Sequence, residues 1–359
     1  MTNTILVVGA LGLIGRAAIE HFSSRPGWRA IGISRRAPDF ESPARFVSLD
    51  LQDAGACRAR SAEFAEVTHI LYAALYEKPS LVSGWQDPEQ IAINMAMLRN
   101  IVESVESATG GLKHITLLQG TKAYGSHIEP MRVPGKERWP RHPHENFYWH
   151  QEDYVRERAA RSGWSFTILR PQAVLGLAVG SPMNLIAAIG LNAAIRRERG
   201  EPLYWSGGGR LVTQASDAAL LARAAEWAGT EPRCAGETYN IGNGDMLVWE
   251  DLFPSVATFF GMDYGGRRPE RLAETMPAQS GTWDAMVAKY GLRPYGLEAL
   301  AGASFQFADW SFRYGEEHPA PSILSTIKSR QHGFADCLDT EDAVLGWLRR
   351  MQDERLLPR

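Results

Sequence analysis

Thr4-Ile-Leu-Val-Val-Gly-Ala-Leu-Gly-Leu-Ile-Gly15, near the start of a chain of 359 residues, decides the fold. Thr4 to Val8 run without polar alternation, the pattern of a strand buried on both faces of a parallel sheet. Gly9, Gly12 and Gly15 follow, and Leu13, Ile14, Ala17, Ala18 and Phe22 then recur at helical spacing until Arg25-Pro26-Gly27 stops the pattern. A strand, a glycine turn and a helix in that order bring backbone amides to the positive end of the helix. There they can meet a diphosphate. Gly9, Gly12, Leu13, Ile14 and Gly15 are therefore the expected dinucleotide cradle.

Moving outward, strands are expected at Trp28–Ser34, Phe46–Leu49, Val67–Ala73, His114–Leu118 and Ser165–Leu169, the last closed by Arg170-Pro171. Helical stretches fall between them, near Ala54–Phe64, Glu89–Val105 and Phe147–Arg161. Alternation of strand and helix means an α/β protein with a doubly wound parallel sheet. After Pro171 the rhythm changes to longer helices, Asn184–Arg199 and Ala215–Ala228, joined by loops rich in Gly, Pro and Trp. The expected division is a Rossmann domain over 1–172 plus roughly 208–245, and a smaller, mainly helical C-terminal substrate lobe over 173–207 and 246–359. The aromatic residues of that half read first as packing of the lobe.

Composition excludes several classes. Lys and Arg number 38 against 41 Asp and Glu, a net charge of −3, so no basic field for nucleic acid is expected. Cys57, Cys234 and Cys337 are widely spaced, which suggests neither a disulfide framework nor a zinc knuckle. No long apolar run spans a bilayer and no signal peptide is read. The expectation is a cytoplasmic protein that binds no nucleic acid or membrane; a homodimer is compatible with the sequence but no feature demands one.

The second strand ends in Ser34-Arg35-Arg36, where an acidic residue would hold a ribose 2′-hydroxyl and a basic pair would accept a 2′-phosphate. NADP(H) is therefore the expected cofactor. Asp50 and Leu51, closing the third strand, suit an adenine edge, although Asp50 equally suits a helix cap. Reductases of this fold usually lower a tyrosine pKa with a lysine four residues on, and none of the six lysines here has that spacing. Lys122 instead follows the fifth strand, and Tyr148 opens the next helix within Asn146-Phe-Tyr-Trp-His-Gln-Glu-Asp153.

That pairing of an upstream lysine with an NFYxxxED segment resembles the progesterone 5β-reductase and iridoid synthase family of atypical extended short-chain dehydrogenases. The likeness covers nearly the whole chain and includes Gly120-Thr-Lys122-Ala-Tyr124, Met183-Asn-Leu185, Tyr239-Asn-Ile-Gly-Asn243-Gly-Asp245 and Gln331-His-Gly-Phe334. It implies an extended Rossmann fold, NADPH, and hydride delivery to the β-carbon of an enone or enal. Tyr148 would stabilise the enolate oxygen and Lys122 would assist by orienting Tyr148 or the ribose and favouring tyrosinate-like character. It also implies cofactor contacts at Ala73, Ala74, Gln119, Pro171, Val174, Ser181 and Met183, beside those already named. Leu75, His127, Phe147, Trp149, Trp205 and Phe334 would line the substrate.

The departures bear on the substrate. Ser126-His127-Ile128 stands where the family has an aromatic residue, Leu75 where it has a tryptophan, and Gln119 replaces a hydroxyl residue, so a compact, apolar enone is expected rather than a steroid. His142, His144 and His150 invite a metal, but no carboxylate or cysteine completes a set, and no metal is expected. Arg196-Arg-Glu-Arg199 reads as a solvated helix end. Three alternatives keep the fold: a ketone or aldehyde reductase, a sugar-nucleotide epimerase disfavoured by Arg35 and Arg36, and a non-catalytic NADP sensor disfavoured by Lys122 and Tyr148 together.

Overall fold

The computed structural model describes residues 2–78 and 83–359, without the side chains of Ser83 and Gly84. It divides into two compact units. The first comprises residues 1–172, 218–241 and 324–335 of the chain, and the second 173–217, 242–323 and 336–359. Relative to the division expected from sequence, 208–217 and 242–245 join the second unit, and the short stretch 324–335 returns to the first.

The first unit is a sheet of seven strands, β1 (Asn3–Val8), β2 (Trp28–Ser34), β3 (Arg45–Ser48), β4 (His69–Tyr72), β5 (His114–Leu118), β6 (Ser165–Pro171) and β7 (Glu237–Ile241). They lie in the order β7-β6-β5-β4-β1-β2-β3, and every pairing is parallel. The chain thus runs outward from β1 in one direction, then restarts at β4 in the other. A ligand site is expected at that reversal, beyond the carboxyl ends of β1 and β4.

Strand period explains the layering. Leu6 and Val8 point to a face covered by α3 (Pro88–Ala108) and α4 (Phe147–Ala159), through Leu98, Ile101, Val105 and Val155. Ile5 and Val7 point to the opposite face, packed by α1 (Leu13–Ser24) and α6 (Ala218–Thr230) through Ala18, Ile19, Phe22 and Ala222. Caps set where the helices begin. Asp53 accepts the Ala56 amide at the start of α2 (Ala54–Ala59), and Asp87 accepts those of Glu89 and Gln90 with Pro88 in the first turn of α3.

Two expectations are corrected. The helix expected over Ala54–Phe64 is broken into α2 and a 3-10 turn, Ser61–Phe64, at Arg60, whose backbone leaves helical geometry at φ −99° and ψ 7° and whose side chain pairs with Glu63 at 2.6 Å. The strand Glu237–Ile241 adds a seventh member on the β6 edge. In the second unit, α5 (Leu185–Glu198), capped by Asn184, is buried nearly all round within an apolar core. Asn192 and Arg196 on that helix are also buried, Arg196 bonding Asn192 Oδ1 at 3.0 Å and Glu201 at 2.9 Å, so the helix end read as solvated is partly internal. Among the described residues no helix is long and apolar enough to cross a membrane.

Candidate active site

The glycine turn is shaped for a close-approaching ligand. Gly9 has φ +86°, and a Cβ there would stand 2.8 Å from Ala74 N and 2.9 Å from Ala73 O. A Cβ on Gly15 would fall 2.1 Å from Gly9 O, so only glycine lets α1 pack onto the turn. The first helical bond runs from Arg16 N to Gly12 O, and Gly12 offers no side-chain cap. The amides of Leu13, Ile14 and Gly15 consequently lack intrahelical acceptors, and no acidic residue lies in the first turn to repel an anion. These residues fit a dinucleotide diphosphate, with Ala73 and Ala74 beside them at the sheet reversal.

At the end of β2 the Ser34 hydroxyl accepts the Arg36 amide at 3.2 Å, and the side chains of Arg35 and Arg36 are exposed. Asp50 accepts the Gln52 amide at 3.0 Å, a turn of its own rather than the cap of α2, which Asp53 supplies. Leu51 is buried beneath it.

The NFYxxxED segment is an assembly of supports for Tyr148. Asn146, wholly buried, caps α4 by accepting the Tyr148 amide at 2.9 Å. Glu152, one turn on, sits among Arg156 at 3.0 Å, Arg141 at 3.2 Å and the buried Arg170 at 3.6 Å. Asp153 takes both ends of the Arg141 guanidinium, at 2.6 and 2.9 Å. Gln119, at the end of β5, donates to Tyr148 O and to Glu152, both at 3.3 Å, and accepts from Arg170 at 2.8 Å. That is a correction: the Gln119 side chain, expected on the cofactor, is engaged inward and ties α4 to β5 and β6.

Tyr148 Oη lies 3.5 Å from where a Cβ on Gly120 would stand, which puts the hydroxyl directly over the turn leaving β5. Pro171, ending β6, presents its carbonyl 3.6 Å from the same point. Lys122 occupies the 3-10 turn Thr121–Tyr124 and places its ammonium 3.4 Å from the centre of the Trp85 ring. Trp85 also meets Tyr148, ring centres 5.2 Å apart, and donates its indole N–H to Glu77 at 2.6 Å. Sequence reasoning missed both Trp85 and Glu77. The only local signal was a carboxylate following the apolar run of β4.

Electrostatics follow from this burial. Desolvation pulls Lys122 down to about 7, against the attraction of Glu77, which holds the proton on. Desolvation raises the Glu77 carboxyl, with Lys122 and the Trp85 N–H opposing it. Tyr148 is pushed well above the ordinary phenol range, by burial first and by Glu77 second, while Arg170 works the other way. That environment works against the tyrosinate-like character expected for it.

Leu75, Phe147 and Trp149 gather with Trp85, Ala123 and Tyr148 in one apolar cluster. His127 joins it, its ring centre 6.2 Å from that of Trp85, and burial together with Lys122 draws it down to about 3. Trp205 and Phe334 are corrections. Trp205 packs with Phe253 and Phe312 in the core of the second unit and donates to Gly208 O, because its own strand faces that core. Phe334 packs on Trp227 of α6, ring centres 5.3 Å apart, next to the Tyr239–His332 hydrogen bond. Val174, Ser181 and Met183 fall in the second unit, Val174 in a short strand beside Ser216 and Ser181 O accepting from Ser304. His150 is exposed, 3.5 Å from Glu145, whereas His142 and His144 bond one another at 2.8 Å.

Residues 5–242 match the model of the NAD dependent epimerase/dehydratase family. The chain is 30% identical to the (S)-8-oxocitronellyl enol synthase of Antirrhinum majus over 99% of its own length and 93% of that protein's. It is 28% identical to the 3-oxo-Delta(4,5)-steroid 5-beta-reductase of Arabidopsis thaliana over the same shares of each. Among solved structures, the UDP-glucose 4-epimerase of Thermus thermophilus in complex with NAD superposes with a TM-score of 0.65, covering 96% of this chain and 99% of that one at 17% identity.

Proposed function

Because the chain belongs to the NAD dependent epimerase/dehydratase family, and within it is similar along its full length to an enol synthase and a steroid 5-beta-reductase, we propose that it is an NADPH-dependent reductase of the activated C=C bond of a small enone or enal. The cradle Gly9–Gly15 holds the diphosphate of a nicotinamide dinucleotide, and Arg35 and Arg36 take a 2′-phosphate. When bound, the dinucleotide supplies the hydride that reaches the substrate's β-carbon.

The observation that carries the reading is the Tyr148 hydroxyl held over Gly120 at the carboxyl edge of the sheet. As hydride adds, negative charge moves to the carbonyl oxygen, and a phenol already aimed at that oxygen stabilises the enolate without reorganising. Its environment keeps the proton on the phenol, so Tyr148 donates a hydrogen bond and leaves the α-carbon to take its proton from water. Lys122, over Trp85 and drawn by Glu77, supplies positive charge within the same desolvated cluster. Leu75, His127, Phe147, Trp149 and Trp85 exclude water around it.

A phenol kept protonated also suits a second reading, proton donation to the oxygen of a ketone. Products decide between the two. Purified protein given NADPH or NADH with 2-cyclohexen-1-one, progesterone and a saturated ketone should yield the saturated ketone from the enone, with NADPH preferred. Allylic alcohol, or turnover of the saturated ketone alone, establishes carbonyl reduction; tight NADP binding without turnover establishes a sensor. Tyr148→Phe should lower enone reduction by about 10²- to 10³-fold, the usual loss for one donor to a developing oxyanion, with NADPH affinity unchanged.

A further inference from the structure

Between the turn that carries Lys122 and the helix that carries Tyr148 lies a run of hydrogen bonds whose direction follows from the heavy atoms alone. The Tyr148 amide can only donate, so the Asn146 atom 2.9 Å from it is the oxygen. The other end of that amide is therefore the nitrogen, and it donates to His144 Nε2 at 3.1 Å. Neutral His144 then carries its proton on Nδ1, which donates to His142 Nδ1 at 2.8 Å. His142 in turn is protonated on Nε2, facing Glu129 Oε1 at 3.0 Å. One tautomer of each ring satisfies the series, and reversing either leaves two donors or two acceptors in contact.

The series ties the two catalytic elements together. Asn146 Nδ2 also lies 3.5 Å from Lys122 O, the carbonyl that accepts the Gly125 amide at 3.1 Å. The His142 ring rests on Gly125, φ +75°, where a Cβ would come within 2.5 Å of Cδ2. Asn146 thus holds the Tyr148 amide with one end of its side chain and reaches the Lys122 turn with the other, and His144 sets which end is which.

We propose that His144, fixed in one tautomer by His142, is a positioning residue for Tyr148, and that a second proton on the His144 ring disengages the Asn146 cap and displaces the hydroxyl. The proposal rests on Tyr148 being the group that meets the substrate oxygen. A doubly protonated His144 would oppose N–H to N–H at Asn146. The charged and titratable groups around His144 are His142 and Glu145 on its own segment, His127 with ring centre 5.0 Å away, Arg141 over Trp149, Glu129 beyond His142, and Lys122 beyond His127. Burial, then the His142 ring, holds His144 below the ordinary imidazole range, while the His142 backbone and then Glu145 oppose them. The acid limb of activity should accordingly lie at or below that range.

Nitrogen NMR of the histidine rings in the apoprotein at neutral pH should show His144 protonated on Nδ1 and His142 on Nε2. Protonation of His144 on Nε2 overturns the proposal whether or not the enone is a substrate. On acidification the Tyr148 amide should lose protection from hydrogen exchange together with kcat. The double variant His142→Gln/His144→Gln keeps a donor and an acceptor at each position without a titrating ring, so it should retain most of kcat and lose the acid limb. His144→Leu should lower kcat about 10- to 100-fold through misplacement of the hydroxyl, with KM for NADPH unchanged. An acid limb in the double variant equal to that of the wild type, or full kcat in His144→Leu, refutes the positioning role. Absence of enone turnover in the wild type refutes the proposed substrate instead, and the ring tautomers and the amide exchange still decide the inference.

Discussion

Acid should unfold this protein through two histidines at the opposite end of β5 from the Lys122 turn. His69 and His114 stand opposite each other on β4 and β5, at the amino edge of the sheet. Burial draws His69 down to about 4, and burial with the neighbouring His69 draws His114 to about 3. Both are neutral in the fold at pH 5, whereas an imidazole of ordinary pKa, about 6.5, is almost wholly protonated in the unfolded chain. The unfolded state then binds more protons, so stability is full above about pH 6.5, falls as pH drops, and levels off only near the folded values. Between pH 7 and pH 5 each ring should remove about 2 kcal/mol, or about 4 kcal/mol together, a large part of the roughly 5–15 kcal/mol that holds a typical domain. Urea unfolding at the two pH values reads this directly as a fall in midpoint. His114→Asn keeps a partner for Ser165 Oγ, which His114 Nδ1 meets at 2.8 Å, and should remove about half of the pH dependence. Equal midpoints at pH 7 and pH 5, or an undiminished fall in the variant, would show that these rings do not govern acid stability. The same curves separate loss of fold from the acid limb assigned to His144.

Three further outcomes are expected. Gly15→Ala places a Cβ 2.1 Å from Gly9 O, so α1 must retreat; dinucleotide affinity should fall by more than about tenfold and stability by about 1–3 kcal/mol, read by calorimetric titration and urea unfolding. Glu77→Gln removes the carboxylate that keeps Lys122 protonated; Lys122 should lose its proton about one unit or more lower, and the alkaline limb of kcat/KM should move to lower pH by that amount. Arg35→Ser with Arg36→Ser should raise KM for NADPH without raising that for NADH, and an unchanged ratio would show that these exposed guanidiniums do not select the phosphate.

Much of the first unit was legible because its strands are buried on both faces and its helices are amphipathic, so the two periodicities separate in the sequence. β2 and β5 run over Trp28–Ser34 and His114–Leu118, as their apolar runs indicate. Glu237–Ile241 was harder to read. Its strand alternates Glu, Thr, Tyr, Asn and Ile, and only the edge it pairs with makes it a strand. The NFYxxxED segment, through its resemblance, drew attention to Tyr148 and Lys122, which lie at the head of α4 and in the turn after β5. Trp85 and Glu77 were not legible, because they come from the stretch after β4 and reach Lys122 only across the folded chain.

Trp205 and Phe334 mark the same boundary. Aromatic character made each a plausible pocket wall, but one faces the core of its own unit and the other packs on Trp227. What the sequence by itself determined is local: the glycine turn, the parallel strands, the basic end of β2 and the tyrosine at the head of α4. The turn and the strands follow from backbone sterics and side-chain period within a few residues, the basic end of β2 from its two guanidiniums, and the weight given to the tyrosine from the family resemblance. What only the tertiary structure decided is which side chains share one desolvated space. Burial is a property of the whole chain, and it is burial that raises the Tyr148 phenol and sets Lys122 against Glu77.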